Sequence, residues 1–270
     1  MKKRVIAAAV LLPLLLAVVL VLPKIWTAVL FGMMAVIGAY ELLNSTGLVK
    51  ERRLHIYAMA MAFYVSIWSG LWAQSHGVRL GILVFVCLLL GELLISHTKM
   101  PFEKIAVTFV AGALIPYLLT ALVRMHSWTN GRYFILLPFV IAFLSDTGAY
   151  FTGRAFGKHK LAPIISPNKT IEGVVGGVAA AVLGVVMYCL VLQFAFQFRV
   201  NYMVVPVYGI LGSLGAVFGD LCFSAIKRQT GIKDYGNLIP GHGGILDRFD
   251  SMTVVAPLTE VLMLFIPMVV

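Results

Sequence analysis

Polar residues that could do chemistry cluster between positions 220 and 250, in a chain that is otherwise strongly apolar. Four of them recur at helical offsets of 0, 4, 7 and 8: Asp220, Ser224, Lys227 and Arg228. At about 100° per residue, this spacing predicts a single polar stripe along one helix. A carboxylate, a hydroxyl and two cations on one stripe suit the binding of a metal ion together with phosphate groups. A polar cap at the membrane interface, with both cations reaching towards water, is the simpler alternative.

Two further carboxylates, Asp247 and Asp250, follow in the sequence Asp-Arg-Phe-Asp, immediately before the last apolar run. They are three residues apart, so a helix would place them on one face. Mg²⁺ prefers hard oxygen donors and commonly combines one or two carboxylates with substrate phosphates. We therefore expect Mg²⁺ as a cofactor held by Asp220, Asp247 and Asp250, and we leave a second cation open. Stabilisation by a helix dipole is the alternative for either C-terminal carboxylate alone.

A glycine-rich loop lies between these two groups. It reads Pro240-Gly241-His242-Gly243-Gly244. Its glycines would let backbone N–H groups approach phosphate oxygens closely, although an ordinary turn between two elements is the alternative. Three roles suit His242: a phosphate donor, an acid or base, or a residue that hydrogen bonds within the loop.

A second polar group begins inside an apolar run. It comprises Ser145-Asp146-Thr147-Gly148-Ala149-Tyr150 and Ser166-Pro167-Asn168-Lys169-Thr170-Ile171-Glu172-Gly173. The Ser166-Pro167 pair predicts the start of a helix, with Ser166 as the N-cap and the proline in the first helical position. The basic and hydroxyl residues that follow would then lie near the first turn, where free N–H groups favour anions.

These motifs resemble the signature of the phosphatidate cytidylyltransferases, also called CDP-diacylglycerol synthases. These integral membrane enzymes join CTP to phosphatidic acid, and they carry similar Ser-Asp-Thr-x-Ala-Tyr and Ser-Pro-x-Lys-Thr-x-Glu-Gly motifs. The resemblance covers roughly residues 140–260, whereas the N-terminal half matches only in being hydrophobic. The family often has an acid just before the serine that corresponds to Ser224, but this chain has Phe223 there, so the polar network around Ser224 is expected to differ.

The resemblance implies a reaction for phospholipid biosynthesis in which the phosphate of phosphatidic acid attacks the α-phosphorus of CTP and pyrophosphate leaves. The attacking group is already an anion, so metal ions and basic side chains would do more for this reaction than a strong base. From the resemblance and the residue chemistry, we expect catalytic roles for Asp220, Ser224, Lys227, Arg228, Lys233, Asp234, His242, Asp247, Arg248 and Asp250. We expect substrate contacts from Asp146, Lys169, Thr170, Glu172, Asn237, Gly241, Gly243 and Gly244.

Four other functions compete with this one. A polyprenol-type kinase, or a cytidylyltransferase for a different lipid, would share the membrane setting and the need for a metal. A CDP-alcohol phosphotransferase is disfavoured because its Asp-Gly-x-x-Ala-Arg pattern is absent from the sequence. A transporter of phosphorylated solutes would explain acids inside the membrane, such as Asp146 and Asp220. However, the sequence shows no internal repeat of the kind that many transporters contain.

Composition predicts an all-α, polytopic integral membrane protein. Of the 270 residues, 61% are hydrophobic and only 12% are charged, about half the charged share of soluble domains. Apolar runs long enough to span a bilayer predict about nine transmembrane helices, with cores near 5–22, 25–43, 54–73, 80–96, 105–123, 133–152, 174–195, 203–223 and 251–270. The run at 5–22 exceeds the apolar region of a typical signal peptide and lacks a cleavage site, so we interpret it as an uncleaved span.

Several remaining residues have structural interpretations. The glycines at 209, 212, 215 and 219 are expected to let helices approach closely near Asp220. The three cysteines show no metal-binding or disulfide spacing, and we interpret them as small apolar residues. Glu41 and Glu92 lie near the ends of predicted spans, where an interfacial position explains each acid.

The predicted spans form a single membrane domain with two functional parts. Residues 1–130 would be a scaffold of five spans, and residues 131–270 would hold four spans and the catalytic loops. We expect CTP, phosphatidic acid and the bilayer as partners, and no nucleic acid, since topology explains the net charge of +10. A homodimer is left open.

The distribution of basic residues predicts the orientation. With nine spans, sixteen of the 21 Lys and Arg residues fall in loops on one side, and such loops are cytoplasmic in membrane proteins. The protein would therefore lie in the cell membrane with its N-terminus and active site in the cytoplasm and its C-terminus outside.

This orientation can be tested by cysteine-accessibility labelling or reporter fusions. Position 235 should be reached from the cytoplasm and position 128 from the outside, because they lie in loops of opposite predicted sidedness. Labelling of both positions from one side would rule out the nine-span topology.

Overall fold

The computed structural model describes residues 13–71, 76–96, 100–238 and 243–269. It is dominated by helices and confirms the predicted all-α class. After a helical stretch at 13–20, the helices are α1 Lys24–Thr46, α2 Arg52–Leu71, α3 His76–Ile95, α4 Phe102–Phe109, α5 Ile115–Leu119, α6 Ala121–His126, α7 Gly131–Phe134, α8 Leu137–Phe156, α9 Ile171–Phe196, α10 Val205–Gln229, α11 Leu246–Phe249 and α12 Met252–Phe265. A π-helical turn, Val110–Leu114, joins α4 to α5, and strands β1 Lys160–Ala162 and β2 Ser166–Thr170 lie between α8 and α9.

Six helical segments of the described residues are long and apolar enough to cross a membrane. They are Lys24–Thr46, His76–Ile95, Phe102–His126, Gly131–Phe156, Ile171–Phe196 and Val205–Gln229. Helix α2 has 20 residues but begins with two arginines, and α12 has only 14. The first predicted span, 5–22, falls partly outside the described residues, so the count of nine stays a prediction.

The chain forms two compact units. The first, here the N-terminal unit, comprises Met1–Arg132 and Gln229–Phe249; the second, the C-terminal unit, comprises Tyr133–Arg228 and Asp250–Val270. The chain therefore returns to the N-terminal unit for the glycine-rich segment. The functional division of the sequence into residues 1–130 and 131–270 stays a prediction.

Polar contacts mark two opposite ends of the N-terminal unit. At one end, Lys104 Nζ lies 2.6 Å from Glu51 Oε1, and this ion pair holds the pKa of the Glu51 carboxyl below its usual range. At the other end, His126 Nδ1 lies 2.9 Å from Thr27 Oγ1. The loops that the charge pattern assigned to different sides are therefore at different ends of this unit.

The segment 229–249 lies at the same end as Glu51. The Ser45 hydroxyl, in the last turn of α1, donates a hydrogen bond to the carbonyl of Tyr235. This agrees with the grouping of the basic loops in the sequence, which placed both segments on one side.

In the C-terminal unit, small residues let three helices pack with close backbones. Helices α8 and α9 run antiparallel; a Cβ added to Gly177 would lie 2.8 Å from the carbonyl oxygen of Ser145. On α10, Gly212 packs against Ile141 of α8, and Gly219 packs against the backbone of Asp250 and Ser251. The predicted close approach at the α10 glycines is confirmed. The three cysteines are free, as expected.

Candidate active site

A pocket of about 410 Å³ lies in the C-terminal unit, where the second half of α8 faces β2 and the start of α9. Its polar lining consists of Asp146, Tyr150, Arg154, Asn168, Lys169 and Thr170. Two cations and an acid therefore face one cavity beside a helix N-terminus, which is a favourable place for anions. Three residues expected to contact substrate, Asp146, Lys169 and Thr170, are brought together here.

The start of α9 differs from the sequence prediction. Ser166 is not the N-cap: residues Ser166–Thr170 form β2, which pairs antiparallel with β1. Thr170 caps the helix instead, and its Oγ1 accepts a hydrogen bond from the N–H of Gly173 at 3.1 Å. The Ser-Pro pair suits a strand as well as a helix start, because a residue before proline favours extended backbone.

Glycines keep the pocket open around this cap. A Cβ added to Gly153 on α8 or to Gly173 on α9 would lie 2.9 Å from Thr170 Oγ1. Side chains at these two positions would therefore displace the cap and fill space that is now cavity. Glycine at both positions lets the two helices meet at the pocket floor.

An ion pair links the pocket to α10. Lys169 Nζ lies 2.5 Å from Asp220 Oδ2, and the Ser224 hydroxyl donates to Asp220 Oδ1 at 3.1 Å. The second contact confirms that Asp220 and Ser224 share a helix face. Lys227 is buried on α10, whereas Arg228 is exposed and its Nε donates to the carbonyl of Ile165 at 3.2 Å. Arg228 thus anchors the loop between the strands.

Glu172 holds the turn that enters β1. Its carboxylate accepts hydrogen bonds from the N–H groups of Lys158 and His159, and His159 Nδ1 lies 2.6 Å from Glu172 Oε1. These contacts give Glu172 a structural role, and its expected contact with substrate stays a prediction.

Asp250 stands at the start of α12. Its Oδ1 accepts from the N–H of Ser251 at 2.8 Å, and the side chain is buried. This position suits both the metal-ligand prediction and the helix-dipole alternative.

The remaining predicted residues belong to the N-terminal unit. Asp247 is buried, and its Oδ2 accepts hydrogen bonds from the N–H groups of Tyr235 at 2.7 Å and Gly244 at 3.0 Å. Gly243 has φ +86°, a backbone conformation that glycine adopts readily. Four exposed residues flank this loop along the chain: Lys233, Asp234, Asn237 and Arg248. The predicted residues Gly241 and His242 lie outside the described residues.

Comparison with known proteins decides the family. Residues 2–266 match the model of the cytidylyltransferase family. This chain belongs to that family. It is 35% identical over 264 residues to the phosphatidate cytidylyltransferase of Staphylococcus epidermidis, covering 96% of both chains. The enzymes of that name from Staphylococcus haemolyticus and Staphylococcus aureus are 34% and 33% identical, over 88% and 96% of this chain and 90% and 96% of theirs. The resemblance in the sequence motifs is confirmed.

The carboxylates of this cytidylyltransferase suit the binding of a magnesium ion in one respect. Asp220 already attracts a cation, the Lys169 ammonium, and carboxylate oxygens are the donors that Mg²⁺ prefers. Within the described ranges, however, no three His, Cys, Asp or Glu side chains are grouped to hold a metal. Asp220 and Asp250 belong to the C-terminal unit and Asp247 to the N-terminal unit.

Sequence reasoning missed two residues of this cytidylyltransferase. Arg154 faces the pocket, but the sequence motifs gave it no expected role. Glu41 was interpreted as an interfacial acid, which is incomplete: it is buried, and both its oxygens accept backbone hydrogen bonds from the segment before Asp247. One pattern in the sequence could have indicated this role. The spacing of Gly38, Glu41 and Ser45 places them on one face of an otherwise apolar helix.

The cap at the pocket gives a direct test of this geometry. Thr170→Val keeps the β-branched shape but removes the capping oxygen, so it should lower the free energy of unfolding by about 0.5–2 kcal/mol. Hydrogen exchange at the Gly173 amide should become faster. Ser166→Ala, at the position that the sequence motif favoured, should change neither quantity. A larger cost for Ser166→Ala than for Thr170→Val would contradict the structure and restore the sequence prediction.

Proposed function

We propose that this chain transfers the cytidylyl group of CTP to phosphatidic acid, giving CDP-diacylglycerol and pyrophosphate. The observation that carries the proposal is the identity of 33–35% to phosphatidate cytidylyltransferases, over nearly the whole of both chains for two of the three. The pocket in the C-terminal unit supports it, because two cations and a helix N-terminus face one cavity.

The chemistry explains why cations are needed. A phosphate oxygen of phosphatidic acid forms a bond to the α-phosphorus of CTP, and the bond from that phosphorus to the β-phosphate oxygen breaks. Two anions must meet, so stabilisation of their charge by fixed positive groups should contribute most to the rate. We assign this work in the C-terminal unit to Lys169, Arg154 and the N–H groups at the start of α9.

Lys169 has a particular role in this proposal. Its ammonium forms an ion pair with Asp220, and a phosphate group in the pocket would compete for it. Asp146, on the same pocket wall, would repel a phosphate that approached from the wrong direction. The two acids and Lys169 would together orient the bound phosphate.

Magnesium dependence is part of the proposal. Asp220 is the first candidate ligand, with Asp250 and Asp247 as further candidates, and a second cation is left open. When bound, Mg²⁺ would neutralise phosphate charge and orient the reacting groups. Asp247 differs from the other two because its Oδ2 accepts two backbone N–H groups. We therefore propose that the first role of Asp247 is to organise the glycine-rich loop.

The N-terminal unit also carries polar groups of a kind that can bind a nucleotide. Lys233, Asn237 and Arg248 are exposed beside the glycine-rich loop, where cations and an amide can bind phosphate or base. The charge pattern assigns the loops 153–173 and 224–250 to the cytoplasm, and CTP is a cytoplasmic nucleotide. We therefore propose a multi-pass protein of the cell membrane with a cytoplasmic active site.

The position of the radiolabel in CTP separates the competing activities. Purified protein with phosphatidic acid should transfer label from the α-phosphate of CTP, but not from the γ-phosphate, into lipid. Chelation of Mg²⁺ should abolish this transfer. Transfer of γ-label to a lipid alcohol would instead indicate a kinase, and no turnover with any lipid would leave only the transporter.

The contribution of the Asp247 and Asp220 charges to catalysis can be tested separately from their contribution to folding. Both loop hydrogen bonds of Asp247 go to one oxygen, so Asp247→Asn can keep them while it removes the charge. We expect Asp220→Asn and Asp247→Asn to fold normally and to lose cytidylyl transfer by orders of magnitude. Asp247→Ala should also lose thermal stability.

The matched control is Glu103→Gln, an exposed acid in the first turn of α4. It should change neither stability nor turnover. A folded Asp247→Asn protein with near-normal turnover would remove Asp247 from the catalytic group.

A further inference from the structure

Glu41 lies in the second-last turn of α1, within a helix long and apolar enough to span the membrane. Its side chain is 5% exposed. Oε1 accepts a hydrogen bond from the N–H of Ile245 at 3.1 Å, and Oε2 accepts one from Leu246 at 2.9 Å. These N–H groups stand at the start of α11, where a helix offers no acceptors of its own. Glu41 therefore caps α11 from another helix.

Two glycines fix the carboxylate closely in place. A Cβ added to Gly236 or to Gly244 would overlap Glu41 Oε1. To make room, Glu41 would have to give up its hydrogen bonds to the start of α11. The segment can thus wrap this carboxylate only with glycine at both positions.

The same face of α1 supplies further contacts. Ser45, one turn beyond Glu41, donates to the carbonyl of Tyr235. Gly38, almost one turn before it, lies against the side chain of Leu246, where an added Cβ would be 3.7 Å from Leu246 Cδ1. One face of α1 therefore holds both ends of the glycine-rich loop.

Asp247 completes the arrangement from the other side. It sits on α11, directly after the two residues that Glu41 holds, and its Oδ2 binds the N–H groups of Tyr235 and Gly244. Loss of the Glu41 acceptors would free the start of α11 and shift Asp247 and Arg248 with it. Two carboxylates, of Glu41 and Asp247, therefore bind the backbone on the two sides of the loop. Only Asp247 belongs to the Asp-Arg-Phe-Asp motif.

We propose that Glu41 is a positioning residue for cytidylyl transfer, which fixes the backbone at Tyr235 and at residues 244–247 so that the groups beside them can bind CTP. The proposal rests on the role given above to residues 233–248. Glu41 acts through α11 and the loop. Its replacement should therefore impair the reaction through the contacts with CTP. The lipid substrate should be handled normally.

Glu41→Gln tests this inference. The amide has a single oxygen, and its NH₂ group would face an N–H donor, so one bond to α11 must be lost. We expect kcat to fall roughly 10- to 100-fold, as for other small displacements of catalytic groups. The KM for phosphatidic acid should stay unchanged. Hydrogen exchange of the peptide that covers residues 244–250 should become faster in the absence of substrate.

Glu92→Gln is the matched control. Glu92 is also a buried glutamate near the end of an apolar helix of the same unit, 9% exposed, but it pairs with Arg53 at 3.0 Å. Its replacement should lower thermal stability without a change in kcat or in exchange at 244–250. Ser45→Ala is a milder variant in case Glu41→Gln does not fold, and it should lower kcat by roughly two- to tenfold through the bond to Tyr235.

The outcomes separate this inference from the proposed function. Absence of cytidylyl transfer by the wild-type protein would overturn the function itself. Normal wild-type transfer, with kcat and exchange unaltered in folded Glu41→Gln, would overturn only the positioning role. Equal losses in Glu41→Gln and Glu92→Gln would also overturn it, since any buried carboxylate would then have the same effect.

Discussion

The need to pair every buried carboxylate shapes both polar regions of this protein. An ionised acid in apolar surroundings is costly unless it has hydrogen bonds or a counter-charge. Asp220 meets the requirement with a lysine and a serine, whereas Glu41 and Asp247 meet it with backbone N–H groups. The lysine lies in β2 just before α9, and the N–H groups belong to Tyr235, Gly244 and the start of α11. The contacts that pair each acid therefore also fix the irregular backbone beside the predicted site residues.

Small residues make this pairing possible. The segment around Gly236 and Gly244 touches the Glu41 carboxylate directly, and Gly219 brings α12 against the helix of Asp220. The Glu41 hydrogen bonds of 2.9–3.1 Å require the first of these contacts, because a methyl group at Gly236 or Gly244 would overlap the carboxylate. Glycine thus serves two purposes here: it lets helices pack, and it lets acids reach their donors.

The sequence could predict much of this arrangement but not its long-range parts. Helical spacing placed Asp220 and Ser224 on one face, and apolar runs located most helices, since both are local properties of the chain. The cap of α9 was misplaced at Ser166 because a Ser-Pro pair suits both a helix start and a strand, and the pairing with β1 decides between them. The role of Glu41 could not be found this way, since its partners lie 204 and 205 residues away along the chain.

The hairpin beside the pocket has a consequence for ligand binding. Its backbone is held by contacts within the protein itself: Glu172 holds the turn before β1, the strands pair, and Arg228 holds Ile165 between them. A flexible loop would lose conformational entropy on closing around a nucleotide or a lipid headgroup, and that loss would weaken binding. Here the loss has already occurred during folding. The affinity of this wall for phosphate can therefore come almost entirely from its charges.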